Sequence, residues 1–569
     1  MDLVLDIETD SKHSKIWLCY THNSETDEYV CHTTPDTLIP LINKADRLIG
    51  HNLIGFDAPI LNKLWGTKIG LKKVRDTLIM SRLLNPSIDG GHSLEAWGKR
   101  LGNHKVEYTR IWHWINGTPY DKTSTAPYDA PHDSLNRFYC KQDVAVTVQL
   151  YRYLDKQLAD WGESVQLEHD VAAIIYKQER HGFRFDEEKG RILLAQLSGE
   201  VADIEGELQT VFPPIVEERV SEKTGKPLKT KVTPFNPGSR QQIAERLQGL
   251  GVKFTQETEK GSVIVNEKVL EGIDLPEAKL IARYLMLQKR ISQVSSWFDV
   301  VKPDGRVHGR VITNGAVTGR MTHHSPNMAQ VPSSGSEYGA ECRELWTVEV
   351  GNKLVGADAS GLELRMLAHY MQDKAYINTV INGNKDDGTD IHTVNMKAAG
   401  LQTRDQAKTF IYALLYGAAG AKIGSIIGGT AADGYRIMER FFAKTPSLQW
   451  LKEDIVIPAS RKGWLRGLDG RHLLVRSEHS ALNTLLQGAG AIVMKKALVI
   501  LQKKINCGII NASFCANVHD EWQIEVPQED AERVGKMAVE AIKEAGEYFK
   551  LRCPLTGEYN VGNTWKDTH

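Results

Sequence analysis

The stretch KLVGADASGLELRMLAHYM (residues 353–371) predicts a strand that ends in an acid and is followed by a helix. Asp358 closes the apolar run, and Glu363 lies on the helix. A second stretch, FCANVHDEWQIEV (residues 514–526), predicts a hairpin whose turn presents Asp520. Two aspartates from separate strands could share two Mg²⁺ ions. Because they supply only two negative charges, the ions would keep a net positive charge for a triphosphate.

A basic and aromatic helix is predicted between these two aspartates, in RDQAKTFIYALLYGAAG (residues 404–420). Arg404, Lys408, Tyr412 and Tyr416 recur at intervals of four, so they spread over a helix face about 120° wide. The two cations suit phosphates, and the two rings suit a stacked base and sugar. For an isolated helix, core packing of the rings and a solvated face for the cations are favoured. Their position between two strand-borne aspartates favours nucleotide binding.

A second carboxylate cluster is predicted near the N-terminus. Asp6 and Glu8 alternate in an apolar run, so a strand projects both to one side. The segment HNLIGFD adds Asp57, and YCKQD adds Tyr139 and Asp143, which are neighbours on one helix face. Each piece alone is most often a solvated edge. Together, four carboxylates balance two divalent cations and suit two-metal phosphodiester hydrolysis, with Tyr139 orienting the attacking water or the scissile phosphate.

Length and composition indicate a soluble multidomain enzyme. The 569 residues are 41% hydrophobic and 25% charged, values that exclude disordered and fibrous proteins. The longest apolar run, AIVMKKALVIL (residues 491–501), is interrupted by Lys495 and Lys496, so no membrane span is predicted. The acidic start MDLVLDIETD is not a secretory signal, and we expect a cytoplasmic protein. Seven cysteines without a CxxC pair favour reduced thiols.

The net charge of −1 does not itself predict a nucleic-acid partner. A local basic surface is predicted instead over residues 461–476, which suits duplex phosphates. For any single member, an ordinary solvated loop is equally expected. This segment contains five basic residues and one acidic residue, Asp469. The basic residues are Arg461, Lys462, Arg466, Arg471 and Arg476.

Three motif groups resemble known DNA polymerases. The segments DIE, NLIGFD and YCKQD resemble the three motifs of the 3'-5' proofreading exonuclease domain, over about residues 1–155. The segments DASGLELRMLAHYM, RDQAKTFIYALLYGA and VHDEWQIEV resemble motifs A, B and C of family A (Pol I-like) DNA polymerases. Four further segments are most similar in sequence to replicative enzymes of short-tailed, T-odd type bacteriophages. They are TNGAVTGRMTHHSPNMAQVP, DIHTVNMKAAGL, GLDGRHLLVRS and ALNTLLQGAGA.

The resemblance implies a multidomain fold of the α/β and α+β classes, and it implies a replicative enzyme that extends a primer and proofreads it. An RNase H-like 3'-5' exonuclease domain precedes a right-hand polymerase domain. The implied ranges are 1–180 for the exonuclease, 181–300 for the thumb, 301–372 and 471–569 for the palm, and 373–470 for the fingers.

The resemblance also implies a role for each matching residue. Two Mg²⁺ ions, which Mn²⁺ can replace, would bind Asp358 and Asp520, and two more would bind Asp6, Glu8, Asp57 and Asp143, beside Tyr139. The incoming dNTP would contact His392, Arg404, Lys408, Tyr412, Tyr416 and Glu363, of which Glu363 would close the pocket against a 2'-hydroxyl group. The minor groove of the primer-template would contact Arg320, Gln487 and His519.

Primer-template DNA and dNTPs are the implied ligands, and a phage helicase-primase and a single-strand DNA-binding protein are implied partners. The coliphage enzymes carry a long thumb insertion that docks host thioredoxin. Here a short basic connector (residues 213–235) stands in its place, so thioredoxin dependence is not expected. We expect Lys223, Lys226, Lys229 and Lys231 to contact the duplex or a different partner. The acidic segment 382–389 has no functional explanation.

Two alternative functions are considered. A single-subunit phage RNA polymerase shares the palm architecture, but Glu363 and the complete exonuclease set argue against it. A nuclease or DNA-binding scaffold with an inactive polymerase half is the other alternative, and the intact Asp358, Lys408 and Asp520 argue against it.

Overall fold

The N-terminal region is built on one sheet. In the computed structural model, which describes residues 1–220, 227–254, 257, 261 and 263–569, the strand order is β3-β2-β1-β4-β5. The elements are β1 (Asp2–Thr9), β2 (Ile16–Asn23), β3 (Glu28–His32), α1 (Pro35–Lys44), β4 (Arg47–Gly50), α2 (Asp57–Trp65), β5 (Val74–Asp76), α3 (Thr77–Leu84), α4 (Leu94–Leu101), α5 (Tyr108–Ile115), α6 (Ala126–Asp129) and α7 (Asp133–Gln157).

Strand β1 is the centre of this sheet because its apolar residues are buried. It pairs antiparallel with β2 and parallel with β4. Leu3, Leu5 and Ile7 belong to one core, under α2, and Val4 faces another, under α7. Strands alternate their side chains, so the acids of β1 emerge beside α7. The strand that the sequence predicted around Asp6 and Glu8 is β1.

One helix contributes to both halves of the protein. The next elements are α8 (Ser164–His181), β6 (Phe183–Phe185) and α9 (Glu187–Val211). On α8, Leu167, Val171 and Ile175 join the large C-terminal core, and Ala172 joins the core of the N-terminal sheet. The domain limit expected at residue 180 therefore falls at the end of a shared helix.

A helical arm follows, formed by β7 (Ile215–Val220), β8 (Pro227–Thr233), α10 (Arg240–Gly249), α11 (Glu267–Glu271) and α12 (Pro276–Phe298). Helix α12 begins at Pro276, as expected for proline in a first turn, and packs along α9. Strands β7 and β8 pair antiparallel, so the basic connector forms a hairpin. Lys223 and Lys226 lie outside the described residues.

The remaining elements form the C-terminal half. They are β9 (Arg306–Val307), β10 (Arg310–Ile312), β11 (Thr322–His324), α13 (Gly339–Glu344), β12 (Trp346–Thr347), β13 (Asn352–Ala359), α14 (Leu362–Met371), α15 (Lys374–Asn382), α16 (Ile391–Ala399), α17 (Arg404–Leu415), α18 (Gly420–Ser425), α19 (Ala431–Lys444), α20 (Pro446–Leu451), α21 (Ile457–Lys462), β14 (Trp464–Arg466), β15 (His472–Leu474), α22 (Glu478–Cys507), β16 (Ser513–Val518), β17 (Glu521–Pro527), α23 (Ala531–Tyr548) and β18 (Gly557–Gly562).

An antiparallel sheet of order β16-β17-β13-β18 organises this half. Helices α22 and α23 pack against each other, and α23 also packs on β13 and β18. Strand β13 is central because Leu354, Val355 and Ala357 are buried among these elements. The sheet thereby holds the end of β13 and the turn between β16 and β17 at one edge.

Helix α22 is apolar enough to satisfy a membrane-span criterion. Its most apolar window has a mean hydropathy of 1.5, but 78% of that window is buried inside the fold. Lys495 lies in this helix and pairs with the buried Glu168. Its apolar character is therefore explained by packing in the protein core.

Candidate active sites

The first site lies where β13 meets the β16–β17 hairpin. In the sheet register Asp358 pairs with Glu521, and the backbone N–H of Ala359 donates to the carbonyl oxygen of Asp520 at 3.1 Å. His519 and Asp520 form the two-residue turn, with His519 in the left-handed region at φ 58°. Asp358 and Asp520 are therefore brought to the same sheet edge, as the sequence predicted.

Glu521 lies directly opposite Asp358 in the sheet register, so both side chains are on the same face of the sheet. Its carboxylate is buried and accepts hydrogen bonds from Trp565 Nε1 at 2.5 Å and Gln523 Nε2 at 2.7 Å. Asp520, in the adjoining turn, lies close enough for its negative charge to raise the pKa of Asp358. Because Glu521 already accepts these hydrogen bonds within the fold, Asp520 is the candidate partner of Asp358 for a cation.

Crowding of charge perturbs both aspartates. Desolvation raises the pKa of the Asp358 carboxyl, and the negative charge of Asp520 raises it further. Burial also raises the pKa of Asp520, and the positive charge of Arg320 only partly opposes this shift. Paired carboxylates that resist ionisation together are stabilised by a cation between them, and their hard oxygens fit Mg²⁺.

Helix α17 carries the predicted cations, and its Tyr412 lies close enough to Asp520 for that charge to raise the tyrosine's pKa further, after burial. Thr403 and Gln406 form a reciprocal cap at its start. Arg404 Nη2 lies 3.0 Å from Asp390 Oδ1, which ties α17 to the start of α16. Lys408 is exposed and makes no ion pair within the described part of the chain. One ion-paired and one free cation thus lie one turn apart.

His392 and Tyr412 extend this face. Their ring centroids are 6.3 Å apart. Burial, followed by the charge of Arg404, lowers the pKa of His392. Its Nδ1 is buried without a hydrogen-bond partner among the described residues, so it remains available to a ligand.

Tyr416, Glu363 and Arg320 form a hydrogen-bonded group at the end of α17. The hydroxyl of Tyr416 lies 2.9 Å from both carboxylate oxygens of Glu363 and donates its one proton to that carboxylate. Arg320 Nη2 donates to Glu363 Oε1 at 3.0 Å. The carboxylate is therefore held from two directions, by the end of α17 and by the segment before β11.

Two of the predicted DNA-contact residues, Arg320 and His519, line one cleft. The cleft is also lined by Ala491 and Met494 of α22. Gln487 lies four residues before Ala491 on this helix, and residues with that spacing share a helix face. Burial and the charge of Arg320 lower the pKa of His519.

The second site is formed in the N-terminal region by β1, α2 and α7. Asp6 and Glu8 lie on β1, and their ligand atoms approach Cys140 of α7 within 4.8 Å. Asp57 begins α2 and accepts a hydrogen bond from the backbone N–H of Ile7 at 3.2 Å. Three elements distant in sequence therefore gather these acids.

Tyr139 and Asp143 complete the second site from one turn of α7. Asp143 is buried, and its Oδ1 has no hydrogen-bond partner among the described residues. An orphaned buried carboxylate oxygen is costly unless a cation or another donor binds it. The donor set therefore fits divalent ions.

Burial raises the pKa of every acid in this cluster, and repulsion between carboxylates raises the pKa of Asp6, Glu8 and Asp57 further. Burial, then the charge of Asp143, raises the pKa of Asp6 to about 7. The pKa values of Glu8 and Asp57 are raised by burial and then by the charge of Asp6. Burial also raises the pKa of Asp143. Such crowding is relieved when cations bind.

The sequence analysis missed Lys105, which forms an ion pair with Asp143 Oδ2. Its Nζ also donates to Tyr139 Oη at 3.2 Å. Burial lowers the pKa of Lys105, but the charge of Asp143 outweighs this effect and the pKa is raised. Lys105 lies between α4 and α5, in a segment without a recognisable motif, so local sequence carries no signal for it.

Comparison with known proteins identifies the family. The family description "DNA polymerase family A" matches residues 215–567, more than half of the chain. The DNA-directed DNA polymerase of Enterobacteria phage T3 is 33% identical, with 94% of each chain covered. That of Escherichia phage T7 is 32% identical, with 100% of each chain covered.

This chain belongs to DNA polymerase family A. It is a template-directed DNA polymerase of a family that uses divalent metal ions. The POL domain of Pol1 from M. smegmatis, solved in complex with DNA primer-template and dNTP, shares the fold of this polymerase. The two match with a TM-score of 0.78 at 19% identity, over 99% of this chain and 95% of that chain.

The polymerase lacks segments that its phage relatives contain. The alignment with the T7 enzyme extends over 723 positions, which exceeds the 569 residues of this polymerase. In the helical arm, the predicted basic connector is the short β7–β8 hairpin, in which Lys231 lies 3.4 Å from Glu217.

The predicted basic surface of this polymerase requires one correction. Arg471 is buried, where its Nη1 lies 2.6 Å from Glu168 Oε1 and its Nη2 lies 2.6 Å from Asp469 Oδ2. It cannot reach duplex phosphates, because two buried carboxylates already use its charge. Arg461, Lys462, Arg466 and Arg476 remain exposed.

Proposed function

We propose that this polymerase extends a primer with dNTPs at a two-Mg²⁺ site and removes mispaired 3' ends at a separate two-Mg²⁺ site. The sheet register that brings Asp358 beside Asp520, next to the cationic face of α17, is the observation that carries the synthetic half. The buried cluster of four carboxylates supports the excision half.

In the synthetic site, Asp358 and Asp520 would hold the two ions. When bound, these ions favour ionisation of the primer 3'-hydroxyl group and stabilise the charge on the departing pyrophosphate. Arg404 and Lys408 bind the triphosphate, since Arg can grip phosphate oxygens bidentately and Lys408 is unpaired among the described residues. His392, whose buried Nδ1 lacks a partner in that same part of the chain, adds a further contact.

The remaining pocket residues select the substrate. Tyr412 packs on the sugar and base of the incoming nucleotide, and Tyr416 lies near the templating position. Glu363, held by Tyr416 and Arg320, occupies the space that a 2'-hydroxyl group would need. A deoxyribonucleotide therefore fits better than a ribonucleotide.

The cleft wall that contains Arg320, Gln487 and His519 would follow the minor groove of the primer-template. Minor-groove acceptors are common to correct base pairs, so hydrogen bonds to them test pairing geometry without reading sequence. A mismatch displaces these acceptors and slows extension.

In the excision site, Asp6, Glu8, Asp57 and Asp143 would hold two Mg²⁺ ions, which Mn²⁺ can replace. When bound, the ions activate a water molecule and stabilise the leaving 3'-oxygen. Tyr139 orients the attacking water or the scissile phosphate. Because burial raises the pKa of Asp6 to about 7, cation binding at this site would displace protons.

The proposed ligands are primer-template DNA and dNTPs, and the relatives from phages T3 and T7 support replication of a phage genome in the host cytoplasm. A helicase-primase and a single-strand DNA-binding protein are the proposed replication partners. Thioredoxin is not proposed, because the resemblance to the coliphage enzymes puts their docking insertion where this sequence has only the short connector 213–235.

Separation of the two activities tests this proposal. Asp358→Asn is expected to abolish extension with Mg²⁺ and to spare excision, whereas Asp6→Ala with Glu8→Ala should do the opposite. Glu558→Gln is the matched control, since Glu558 pairs with Asp358 across the sheet but is not a proposed ligand. Loss of both activities from either variant, with folding retained, would contradict two independent sites.

A further inference from the structure

Lys105 contributes a fifth charge to the excision site. Its Nζ contacts Asp143 Oδ2 and donates to Tyr139 Oη at 3.2 Å. The side chain of Lys105 is 20% exposed, and that of Asp143 is 5% exposed. The ammonium group is therefore inside the site rather than on its rim.

An ordinary surface ion pair does not explain this position. Exposed pairs contribute little to stability, and burying a lysine is costly unless its partners compensate fully. Lys105 reaches α7 from a segment 34 residues away from Tyr139. It also contacts both functional residues of that helix turn, the carboxylate and the phenol.

The charge balance indicates what the lysine adds. Four carboxylates alone would neutralise two divalent ions and leave no net attraction for a phosphodiester, which carries one negative charge. With Lys105 included, the loaded site has a net charge of about +1. That charge complements one phosphodiester group.

The phenol contact fixes the position of Tyr139. The Tyr139 ring stacks on Tyr108 with centroids 4.8 Å apart and an interplanar angle of 26°. Stacking restrains the ring, and the ammonium group restrains its hydroxyl beside Asp143. A cavity of about 500 Å³, lined by Lys105, Tyr108, Tyr128 and Tyr139, opens here and has room for a nucleotide.

We propose that Lys105 is a positioning residue of the excision site, where its ammonium group stays between Asp143 and Tyr139 when ions bind. It sets the Tyr139 hydroxyl and offsets one of the four negative charges, so that the loaded site attracts the scissile phosphodiester. This inference rests on the proposed 3'-5' exonuclease activity.

Lys105→Met and Lys105→Arg test the proposal in the full-length chain. For excision of a single-stranded oligonucleotide, Lys105→Met should lower kcat/KM about 10- to 100-fold, with a lower kcat and a higher KM. Lys105→Arg should recover most of this loss. Extension of a paired primer should be unchanged, which shows that the chain is folded. Lys156→Met, at an exposed lysine near the end of α7 and outside this cavity, is the matched control.

A binding measurement separates positioning from structural loss. In chains that also carry Asp358→Asn and Asp520→Asn, Mn²⁺ binding is followed by electron paramagnetic resonance. Removing the ammonium group makes the site more negative, so Lys105→Met should bind Mn²⁺ about 3- to 10-fold more tightly while excising more slowly. Lys105→Arg should bind Mn²⁺ like the parent chain.

Three outcomes would overturn the inference: unchanged excision by Lys105→Met, faster excision with tighter Mn²⁺ binding, or weakened Mn²⁺ binding. Faster excision would mean that the lysine competes with an ion. Absence of the proposed exonuclease activity can be distinguished from failure of the Lys105 inference. In that case the wild type would excise no faster than the Asp6→Ala, Glu8→Ala double variant.

Discussion

The hydroxyl of Tyr416 lies 2.9 Å from both carboxylate oxygens of Glu363, at the point where α17 ends beside the strand-borne aspartates. Arg320 binds the same carboxylate from the other side at 3.0 Å. A side chain held by two partners loses most of its rotational freedom, so Glu363 presents a rigid wall to the sugar of an incoming nucleotide.

Glu363→Ala should therefore weaken discrimination against ribonucleotides. Removing the wall makes room for a 2'-hydroxyl group, so the ratio of kcat/KM for dNTP over rNTP should fall about 10- to 100-fold. Single-nucleotide incorporation with matched dNTP and rNTP measures this ratio.

Tyr416→Phe is the matched control for that experiment. It removes one hydrogen bond to Glu363 but keeps the carboxylate and its contact with Arg320. We expect a smaller loss of discrimination than for Glu363→Ala. Equal discrimination by the wild type and Glu363→Ala would contradict the assignment.

Because residue 412 is a tyrosine, we expect DNA synthesis by this polymerase to be sensitive to chain-terminating dideoxynucleotides. Its ring is partly buried near His392, and its hydroxyl donates no hydrogen bond among the described residues. In the family that the sequence resembles, a tyrosine here accompanies acceptance of dideoxynucleotides and a phenylalanine accompanies rejection. Tyr412→Phe should therefore reduce ddNTP incorporation relative to dNTP on the order of 100-fold. Primer-extension ladders with both nucleotides measure this ratio, and equal ladders for both enzymes would refute the role.

The ionised carboxylate of Glu525 is expected to make the stability of the folded protein sensitive to acid. Burial raises its pKa, but hydrogen bonds from His181 at 2.9 Å, Arg306 at 2.8 Å and Asn352 at 2.8 Å outweigh burial, so the pKa is lowered below the usual 4.5. A lowered pKa in the folded state contributes stability above about pH 4.5, and this contribution is lost as the pH falls below that value. Thermal unfolding between pH 7 and pH 3 measures the loss.

Glu525→Gln isolates this contribution. It leaves Arg306 buried without its counter-charge, so the free energy of unfolding at pH 7 should decrease by about 3 kcal/mol. The variant should then lose less additional stability than the wild type on acidification. Glu529→Gln, at an exposed position in the same region, should behave like the wild type. Parallel acid profiles for Glu525→Gln and the wild type would exclude the ion pair as the cause.

The β7–β8 hairpin predicts electrostatic binding of duplex DNA. Lys229 and Lys231 are exposed on β8. Replacing both with glutamate should weaken primer-template binding and reduce the slope of log affinity against log salt by about 0.9 for each phosphate that a lysine no longer neutralises. Fluorescence anisotropy across a salt series provides the measurement, and added thioredoxin should leave product length unchanged.

Lys536→Glu with Lys543→Glu is the control, because it makes the same charge change on the exposed face of α23. This variant should keep the affinity and the salt slope of the wild type. If the hairpin variant also kept both, the hairpin would not contact DNA directly.

Much of both sites could be predicted because their residues are arranged by local periodicity. Alternation along β1 aligns Asp6 with Glu8, and the four-residue repeat of α17 aligns Arg404 with Lys408. The start of α12 at Pro276 was predictable for the same reason, since proline is tolerated in the first turn of a helix. Patterns of this kind depend on backbone geometry within a few residues.

Lys105 and Arg471 could not be assigned in this way, because their roles depend on partners brought close by folding. Lys105 looks like any loop lysine until α7 places Asp143 against it. The sequence predicts that Arg471 contacts a phosphate, but in the core it forms an ion pair with Glu168 from a distant helix. The sequence shows which residues carry a charge. Packing determines which groups that charge interacts with, because electrostatic energy depends on distance and burial in three dimensions.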